Sequence, residues 1–317
     1  MKTTSKSFLW GSIGGTFLAT TLCLPMWGQT PNTRPAGPGA INYVEGQAAI
    51  GGQQLSPTSV GFTTLEKGQT LTTQAGKVEI LLTPGVFLRV DNNSTVKMIS
   101  PDLANTETEI DKGQAMVEVT DISKNNDIRV DENGAAVKLV QKGLYEFDAG
   151  LGQVRVFKGK AEVRLNDQKV VNVGENREVT LNTEGKLKTQ SFDSKQYADD
   201  FYRWCGLRAG YLAEADADEA RLYVNGAAGW YGSGWYWDPW FDAYTFIPGN
   251  GIYYSPFGWG FYSPFSIYGS PFFYGGYYGR PHNFGDVHGP YGHGFEPAGG
   301  FGFHAGGGFR GGGGGRR

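Results

Sequence analysis

The sequence predicts an all-β domain, either a β-sandwich or a β-solenoid, followed by one amphipathic helix and a low-complexity tail. Three observations predict the β-domain. Short β-branched and aliphatic runs are separated by Gly, Pro and Asn turns, these turns recur roughly every seven to ten residues, and no long helical period interrupts Ile41–Leu181. Short strands at this spacing favour a sandwich or solenoid over a parallel α/β fold.

The clearest strands lie in the stretch 77–99. They are Lys77–Leu82, Val86–Val90 and Thr95–Ile99, separated by the turns Thr83-Pro84-Gly85 and Asp91–Ser94. Proline presets the first central φ of a turn, and Gly or Asn tolerates the positive φ that can follow. The stretch therefore predicts three successive strands around which the rest of the domain is built.

The first of these strands departs from strict alternation. Val78, Ile80 and Leu82 fall on one face, whereas the opposite face carries both Glu79 and Leu81. An apolar residue on the otherwise polar face indicates that this face is covered as well. We therefore expect both faces of the sheet to be buried near Leu81.

Later strands show the alternation of a half-buried sheet. In 154–165, Val and Leu alternate with Arg155, Glu162 and Arg164, so these three charged residues are predicted to lie on a solvated face. The further predicted strands are Ile41–Glu45, Gln47–Ile50, Gln53–Leu55, Gln114–Val119, Ala136–Val140, Leu144–Phe147, Val154–Phe157, Ala161–Leu165, Lys169–Val173 and Glu178–Leu181.

The N-terminus predicts export. Lys2 and Lys6 precede the mostly apolar run Phe8–Leu24, which has the features of a signal peptide cleaved after Gly28. We therefore expect a periplasmic or secreted protein with no membrane span after leader removal. Cys205 then remains as a lone thiol, and we expect it to be a buried small hydrophobe rather than a nucleophile.

A helix is predicted for Ser194–Ala220, with Asp193 as its N-cap. An aromatic stripe along this helix indicates a face that packs on the β-domain. Gly206 and Gly210 would weaken the middle of the helix by roughly 1 kcal/mol each relative to Ala, so a break there is one possibility.

From Gly226 onward the sequence is rich in Gly, Pro and aromatic residues and nearly lacks branched aliphatics. We expect this tail to be largely disordered or self-packed, and residues 29–225 to fold cooperatively without it. If its aromatic residues are exposed, they form an interaction surface. The candidate residues are Trp230, Trp235, Trp237, Trp240 and Trp259.

Several segments resemble the FecR-like domain, the family named for the extracytoplasmic part of an iron-dicitrate signalling regulator. They are Gly68–Leu71, Gly76–Val90, Val117–Val119, Gly143–Phe147 and Val154–Ala161. The resemblance covers about Ile41–Leu187, and it implies an all-β extracytoplasmic module used for interaction rather than catalysis. Signalling members carry a sigma-factor-binding segment and a transmembrane helix before this domain. Here a leader stands in that place, which disfavours an anti-sigma role.

The predicted organisation combines these features. It comprises a signal peptide (1–28), a linker (29–40), a FecR-like β-domain (41–190), a helical segment packed on it (191–225) and the tail (226–317).

The sequence offers no catalytic residue, cofactor site or metal site that we would assign. All four histidines lie in the tail, which excludes a Ser-His-Asp triad within the β-domain, and their wide spacing disfavours a metal site. A net charge of −3 disfavours nucleic acid as a partner. The leading hypothesis is a non-enzymatic, exported protein that binds another protein or an envelope component. The alternative is a structural matrix or adhesion protein acting through the tail. A carbohydrate-active enzyme and an anti-sigma regulator rank below both.

Overall fold

The computed structural model of the chain describes residues 36–166, 169–181 and 186–269. The predictions for residues 1–28 and for the end of the tail, 270–317, lie outside these ranges. The strands are β1 (Ile41–Ile50), β2 (Gln53–Gln54), β3 (Thr70–Leu81), β4 (Val86–Val90), β5 (Thr95–Pro101), β6 (Asn105–Lys112), β7 (Gln114–Val119), β8 (Asp127–Glu132), β9 (Ala135–Leu139), β10 (Gly143–Asp148), β11 (Gln153–Lys158), β12 (Lys160–Leu165), β13 (Val171–Gly174), β14 (Arg177–Thr180), β15 (Thr189–Ser191), β16 (Gly234–Asp238), β17 (Ala243–Ile247), β18 (Ile252–Tyr254) and β19 (Gly260–Tyr262). The helices are α1 (Asp200–Val224) and the short 3₁₀ helices η1 (Pro57–Ser59) and η2 (Pro264–Gly269).

Strands β1 to β15 form one continuous sheet. Its order is β13-β12-β9-β8-β6-β5-β3-β4-β7-β10-β11-β14-β15, with β1 paired along β3 and β2 paired to β1. Within the described residues the pairing is antiparallel except between β6 and β8. The all-β prediction is confirmed. The antiparallel pairing is that of a sandwich rather than of the stacked parallel coils of a solenoid.

The long strand β3 connects the two halves of this sheet. Its beginning, Thr70–Thr72, pairs with β5, whereas its end, Val78–Leu81, pairs with β4. Between these parts Gly76 faces Gly46 of β1 at a register irregularity. A Cβ on Gly76 would lie 2.4 Å from the Glu45 carbonyl oxygen, so the close approach of the two backbones requires glycine there.

The two halves of the sheet enclose one aliphatic core. Val78, Val117 and Val156 from one half pack in the same cluster as Val130 and Val163 from the other. The opposite face of the β3-β4-β7-β10-β11 half is covered too, because Leu81 is fully buried there against Phe87 and Leu212. The expectation that both faces are buried near Leu81 is confirmed.

Helix α1 lies over this second face and begins later than predicted. The N-cap is Asp199, whose Oδ1 accepts a hydrogen bond of 2.8 Å from the Tyr202 amide. Asp193 instead closes the turn before the helix, where its Oδ1 accepts from the Lys195 amide at 3.1 Å. Either aspartate can accept hydrogen bonds from the backbone amides that follow it, so the sequence pattern alone did not distinguish a turn from a helix start.

The helix continues through both glycines, and their role is close packing. A Cβ on Gly206 would lie 3.2 Å from a ring carbon of Phe257, and one on Gly210 would lie 3.0 Å from a ring carbon of Trp259. The Trp259 indole N–H also donates to the Gly206 carbonyl at 3.0 Å. The absence of side chains at these two positions lets aromatic rings approach the helix backbone.

Those rings belong to two hairpins within the segment expected to be a disordered or self-packed tail. Strands β16 and β17 pair over Gly234–Ile247, and β18 pairs with β19 over Ile252–Tyr262. Trp235 and Phe261 pack in the same cluster as Leu81 and Phe87 of the sheet. The predicted boundary at residue 226 therefore precedes two hairpins that cover the domain. Aromatic rings provide here the buried area that branched aliphatics usually supply.

Within the described ranges, no helix has both the length and the apolar character needed to cross a membrane.

Candidate functional site

A line of mostly charged side chains crosses the face of the sheet beneath α1. Its members are successive cross-strand partners on β3, β4, β7, β10, β11, β14 and β15. They are Glu79, Arg89, Met116, Glu146, Arg155, Glu178 and Gln190. We call this line the charged row. Carboxylates alternate with guanidinium groups on either side of Met116, so each positive charge has a negative cross-strand neighbour.

Glu79 and Arg89 of the row form a buried cluster of four charges with Glu118 of β7 and Arg208 of α1. Arg89 donates from Nε to Glu79 Oε2 at 2.8 Å and from Nη1 to Glu118 Oε2 at 2.5 Å. Arg208 of α1 donates to Glu79 Oε1 at 3.0 Å. Two guanidinium groups thus balance two carboxylates, and Glu79, Arg89 and Glu118 are 0% exposed. Balanced charge and hydrogen bonding are what make burial of such ions tolerable.

Polar residues from distant parts of the chain complete this cluster. Asn42 of β1 donates to Glu79 at 2.9 Å, and Ser255 of the second hairpin donates to Glu118 at 2.5 Å. Burial alone would raise the pKa of Glu79, but Arg208 and Arg89 outweigh it and hold that pKa below its usual value. Glu79 therefore remains ionised, and the hydrogen bonds of the cluster join β1, the sheet, α1 and the hairpin.

The second part of the row carries an excess of negative charge. Arg155 donates to Glu146 and to Glu178, both at 2.8 Å, and its guanidinium carbon lies 4.2 Å from the ring centroid of Tyr197. Burial raises the pKa of Glu146 to about 7 despite the opposing charge of Arg155. Asp199 and Asp148 add to the rise. Burial, only partly offset by the single guanidinium of Arg155, thus brings the pKa of Glu146 close to neutral pH.

Arg155 corrects a sequence-based expectation. Its alternation with Val154 and Val156 predicted a solvated side chain, yet Arg155 is 3% exposed. Arg164 is exposed and Glu162 is half-buried, as expected for a wet face of β12. The difference arises because Tyr197 and the segment leading into α1 cover β11, whereas β12 lies in the other half of the sheet.

Cys205 lies beside the first cluster and is fully buried. Burial raises the pKa of its thiol well above the ordinary value, with the Arg89 charge opposing that rise. A neutral, enclosed thiol is a packing residue rather than a nucleophile. Its placement with Phe201 and Met116 in an apolar cluster agrees with the expected role as a small hydrophobe.

The five candidate tryptophans do not form one exposed surface. Trp235 is 5% exposed and packs edge-on against Phe87, with ring centroids 5.1 Å apart. Trp230, Trp237 and Trp259 are half-buried. Trp240 differs from the other four, because it is 88% exposed. The sequence analysis grouped the five tryptophans together. In the structure, the alternation of β16 buries Trp235, and the glycines of α1 let Trp259 pack against the helix.

Trp240 lies in a turn whose backbone amides are hydrogen-bonded to a buried carboxylate. The carboxylate of Asp238, itself 0% exposed, accepts hydrogen bonds from the Trp240 amide at 2.7 Å and from the Phe241 amide at 3.3 Å. Asp242 follows at a positive φ of 44° and reverses the chain into β17. Such an aspartate-centred turn restricts the backbone. The indole is therefore displayed to solvent from a defined position at the tip of the hairpin β16–β17.

Several carboxylates, some of them buried, lie near this turn. Burial raises the pKa of Asp238 to about 6, and the charges of Asp218 and Asp242 add to the rise. Glu219 of α1 has its pKa raised to about 7, first by burial and then by Asp238. Arg221 pairs with Asp218 at 2.6 Å and offsets part of this charge.

Two depressions of the surface lie among the described residues. One depression lies between β1, β2 and η1 and is lined by Leu55 and Phe62, and another lies at the β3 corner beside Asn92 and Asn93. Neither includes a member of the charged row. Across the described ranges, no three His, Cys, Asp or Glu side chains are grouped so as to hold a metal ion. The four histidines all fall in 270–317.

The charged row was missed from the sequence, although a signal for it exists. Glu79, Glu118 and Glu146 each stand in the middle of a strand between strongly apolar neighbours, and Arg89 and Arg155 occupy the same kind of position. Charges of both signs at the centres of several strands indicate pairing across a covered face.

Comparisons with known proteins give no family assignment. No protein-family model matches the chain, and no curated protein sequence matches it. Among solved structures, two crystal structures described as "a putative anti-sigma factor" from Parabacteroides distasonis are similar, with 17% and 18% identity and a TM-score of 0.34 for each. Each match covers 40% of this chain and 61% of the other, so the chain spans less than two thirds of the proteins it matches. A TM-score of 0.34 assigns no family, and membership of the FecR-like family stays a hypothesis.

Proposed function

We propose that this chain is an exported, non-catalytic binding protein. In this proposal its β-scaffold presents Trp240 to another protein or to a component of the cell envelope. The observation that supports it is the 88% exposure of Trp240 on a turn held by the buried Asp238 carboxylate. A large aromatic side chain on a fixed backbone loses little conformational entropy on binding, which is why such residues dominate the energetics of interfaces.

The placement of the charges also supports a scaffold role. Glu79, Arg89, Glu118 and Arg155 hydrogen-bond to one another or to their neighbours beneath α1 instead of pointing into an open cleft. Charged groups arranged in this way hold layers together, whereas general acid–base chemistry needs the group within reach of a substrate.

Export and the FecR-like resemblance are parts of the same proposal. The leader-like segment 1–28 and the strand motifs of 68–161 favour an extracytoplasmic interaction module. Intact-mass analysis of protein from its native cells tests this part. Loss of residues 1–28 would support it, and a full-length mass in the cytoplasmic fraction would contradict it.

Co-purification of the Trp240→Ala variant from the envelope fraction tests the binding role. We expect wild-type protein to retain a partner and Trp240→Ala to lose most of it, because truncating a central aromatic anchor typically costs about 2 kcal/mol or more, a loss in affinity of roughly thirtyfold. The matched control is Leu151→Ala, which removes another exposed apolar side chain, 62% exposed, from the turn between β10 and β11. Equal capture by wild type and both variants would exclude Trp240 as the anchor.

The alternative function, a matrix or adhesion protein, assigns the activity to the tail. Since the two hairpins at 234–262 belong to the fold, the deletion that separates the two hypotheses begins at residue 270. Partner capture that survives removal of 270–317 but not Trp240→Ala supports the scaffold proposal. The opposite pattern supports the tail.

A further inference from the structure

The C-terminal half of α1 meets the two hairpins at buried carboxyl groups. Asp216 of α1 is 0% exposed, and its Oδ2 accepts a hydrogen bond of 2.6 Å from the Tyr262 amide of β19. Glu219 follows one turn later on the same side of the helix and is buried close enough to Asp238 of β16 for their charges to interact. We call Asp216, Glu219 and Asp238 the carboxyl clamp, because they lie where α1 contacts both hairpins.

The clamp differs from the charged row in lacking basic partners. Within the described ranges, none of its three carboxyl groups forms an ion pair with a lysine or arginine, and Arg221 of the same helix pairs instead with Asp218. Oδ1 of Asp216 and Oδ2 of Asp238 are buried and have no hydrogen-bond partner among the described residues. Burial of a carboxylate without a counter-ion is costly, so this interface favours the neutral, protonated form of each group.

The elements packed around the clamp supply no compensating positive charge. Strands β17 and β19 and helix η2 carry no charged side chain. The ionisable groups that surround Glu219 and Asp238 are acidic or phenolic. They are Asp218 and Tyr223 of α1, Tyr231 before β16, Tyr236 of β16 and Asp242 before β17. Ionisation of the clamp would therefore add negative charge to a place that already carries it.

The direction of the pKa shifts gives the sign of the effect. Burial raises the pKa of Glu219 to about 7 and that of Asp238 to about 6, and it raises the pKa of Asp216 well above its ordinary value. In solvent these carboxyl groups have pKa values of about 4. Protons therefore favour the docked hairpins. The contribution of Glu219 and Asp238 is fully present below about pH 4 and is lost as the pH rises through about 6 and 7.

We propose that the carboxyl clamp is a pH-dependent device that holds both hairpins on α1 while it is protonated and loosens them when it ionises. Like charges in a buried interface are relieved when water enters between the helix and the hairpins. Since the hairpin β16–β17 carries the Trp240 turn, its loosening would also release that turn from its fixed position. This consequence for partner capture rests on the proposed binding role of Trp240, whereas the clamp itself does not.

Hydrogen exchange of the full-length protein at pH 5 and pH 8 tests the clamp. Protection factors, which correct for the intrinsic pH dependence of exchange, should fall between these pH values for the paired amides of both hairpins. The variant Asp216→Asn/Glu219→Gln replaces two carboxyl groups by neutral amides of nearly the same shape and leaves Asp238 in its turn. Because each shifted group changes the docking equilibrium by up to about tenfold for each pH unit, the fall should be at least about tenfold smaller in the variant.

The matched control is Asp200→Asn, which removes an exposed carboxylate from the start of the same helix. Its hairpins should lose protection as in wild type. Equal falls in wild type and in Asp216→Asn/Glu219→Gln would overturn the proposal, as would wild-type protection that is the same at both pH values.

Carbon-13 NMR of the side-chain carboxyl groups of wild type decides the question even if the double variant does not fold. Titration of Glu219 and Asp238 with midpoints of about 7 and 6 would support the clamp, and midpoints of about 4 for both would overturn it. Both measurements are made without a partner. Loss of partner capture by Trp240→Ala therefore leaves their outcome unchanged, and the two proposals can fail separately.

Discussion

The two faces of the β3-β4-β7-β10-β11 half-sheet are both buried, but by different means. The inner face carries Val and Ile side chains that meet the other half of the sheet in one aliphatic core. The outer face carries the charged row, set among Leu81, Phe87 and other apolar residues and covered by α1 and the hairpins. The inner face is stabilised by apolar area alone. The outer face additionally depends on each charge keeping its partner, so it should respond more sharply to single changes.

The largest effect should come from removing the cover of the outer face. Truncation after residue 225 would expose Leu81 and Phe87 and would take Ser255 away from Glu118. We expect this fragment to lose cooperative unfolding, in contrast to the sequence-based expectation that 29–225 folds alone. Truncation after residue 269 is the control and should keep a cooperative transition in thermal denaturation. Cooperative unfolding of the shorter fragment with an unchanged midpoint would show that the hairpins add nothing to the domain.

Breaking the balanced cluster should be the next largest effect. Arg89→Met leaves Glu79 and Glu118 buried with fewer positive partners, and we expect a loss of about 3–5 kcal/mol in the free energy of unfolding. Urea denaturation measures it. Adding Glu79→Gln and Glu118→Gln to Arg89→Met should recover part of the loss, because the uncompensated charges are then gone. An Arg89→Met variant as stable as wild type would show that the charged cluster does not contribute to the free energy of unfolding.

The unbalanced part of the row should make stability depend on pH. Glu146 has a folded-state pKa of about 7, above the ordinary value near 4.5, so the folded protein holds a proton that the unfolded chain releases. The contribution of Glu146 to the free energy of unfolding is fully present below about pH 4.5. It is lost as the pH rises to about 7, by up to about 1.4 kcal/mol for each pH unit.

Unfolding measured from pH 5 to pH 8 tests this prediction. Asp238 and Glu219 titrate in the same range, so the informative quantity is the difference between wild type and Glu146→Gln. The variant should show a flatter pH profile. Parallel profiles would show that Glu146 does not titrate in this window.

The smallest predicted effect concerns the helix glycines. Gly210→Ala would improve helix propensity by roughly 1 kcal/mol. The new methyl group would, however, lie 3.0 Å from the Trp259 ring, and overpacking of this kind costs about 1–3 kcal/mol. We expect a net destabilisation of about 1 kcal/mol in urea denaturation. Leu207→Ala on the exposed face of α1 serves as the control. A Gly210→Ala variant more stable than wild type would show that the Trp259 ring shifts to accommodate the new methyl group.

Sequence patterns predicted the inner face well and the outer face poorly. Alternation located β4, β7 and β11 within a residue or two, and the position of Leu81 revealed that the second face is covered. The same alternation placed Arg155 in solvent, because periodicity distinguishes the two faces of a strand but not what lies over them. Burial of Arg155 depends on Tyr197, a residue far away in the sequence that only the tertiary fold brings close.

The hairpins were missed for a related reason. Trp235-Tyr236-Trp237 and Ala243–Ile247 contain aromatic and β-branched residues typical of strands, with Asp238-Pro239 as a turn between them. Their Gly-rich surroundings favoured an interpretation as low-complexity sequence. The exposure of Trp240 could not be predicted either, because it depends on hydrogen bonds from the turn to the buried Asp238.

The order of the chain gives the charged row a consequence while the chain folds. Every strand that carries the row precedes α1, so a chain that emerges from its N-terminus can complete this part of the sheet before residues 200–262 cover it. An aliphatic surface left bare for that interval would attract other unfinished chains. Paired Glu and Arg side chains keep the bare face hydrated until its cover is made. Burying these ions afterwards lowers the stability of the finished protein relative to an apolar face. Such a row would exchange some final stability for solubility of the incomplete chain.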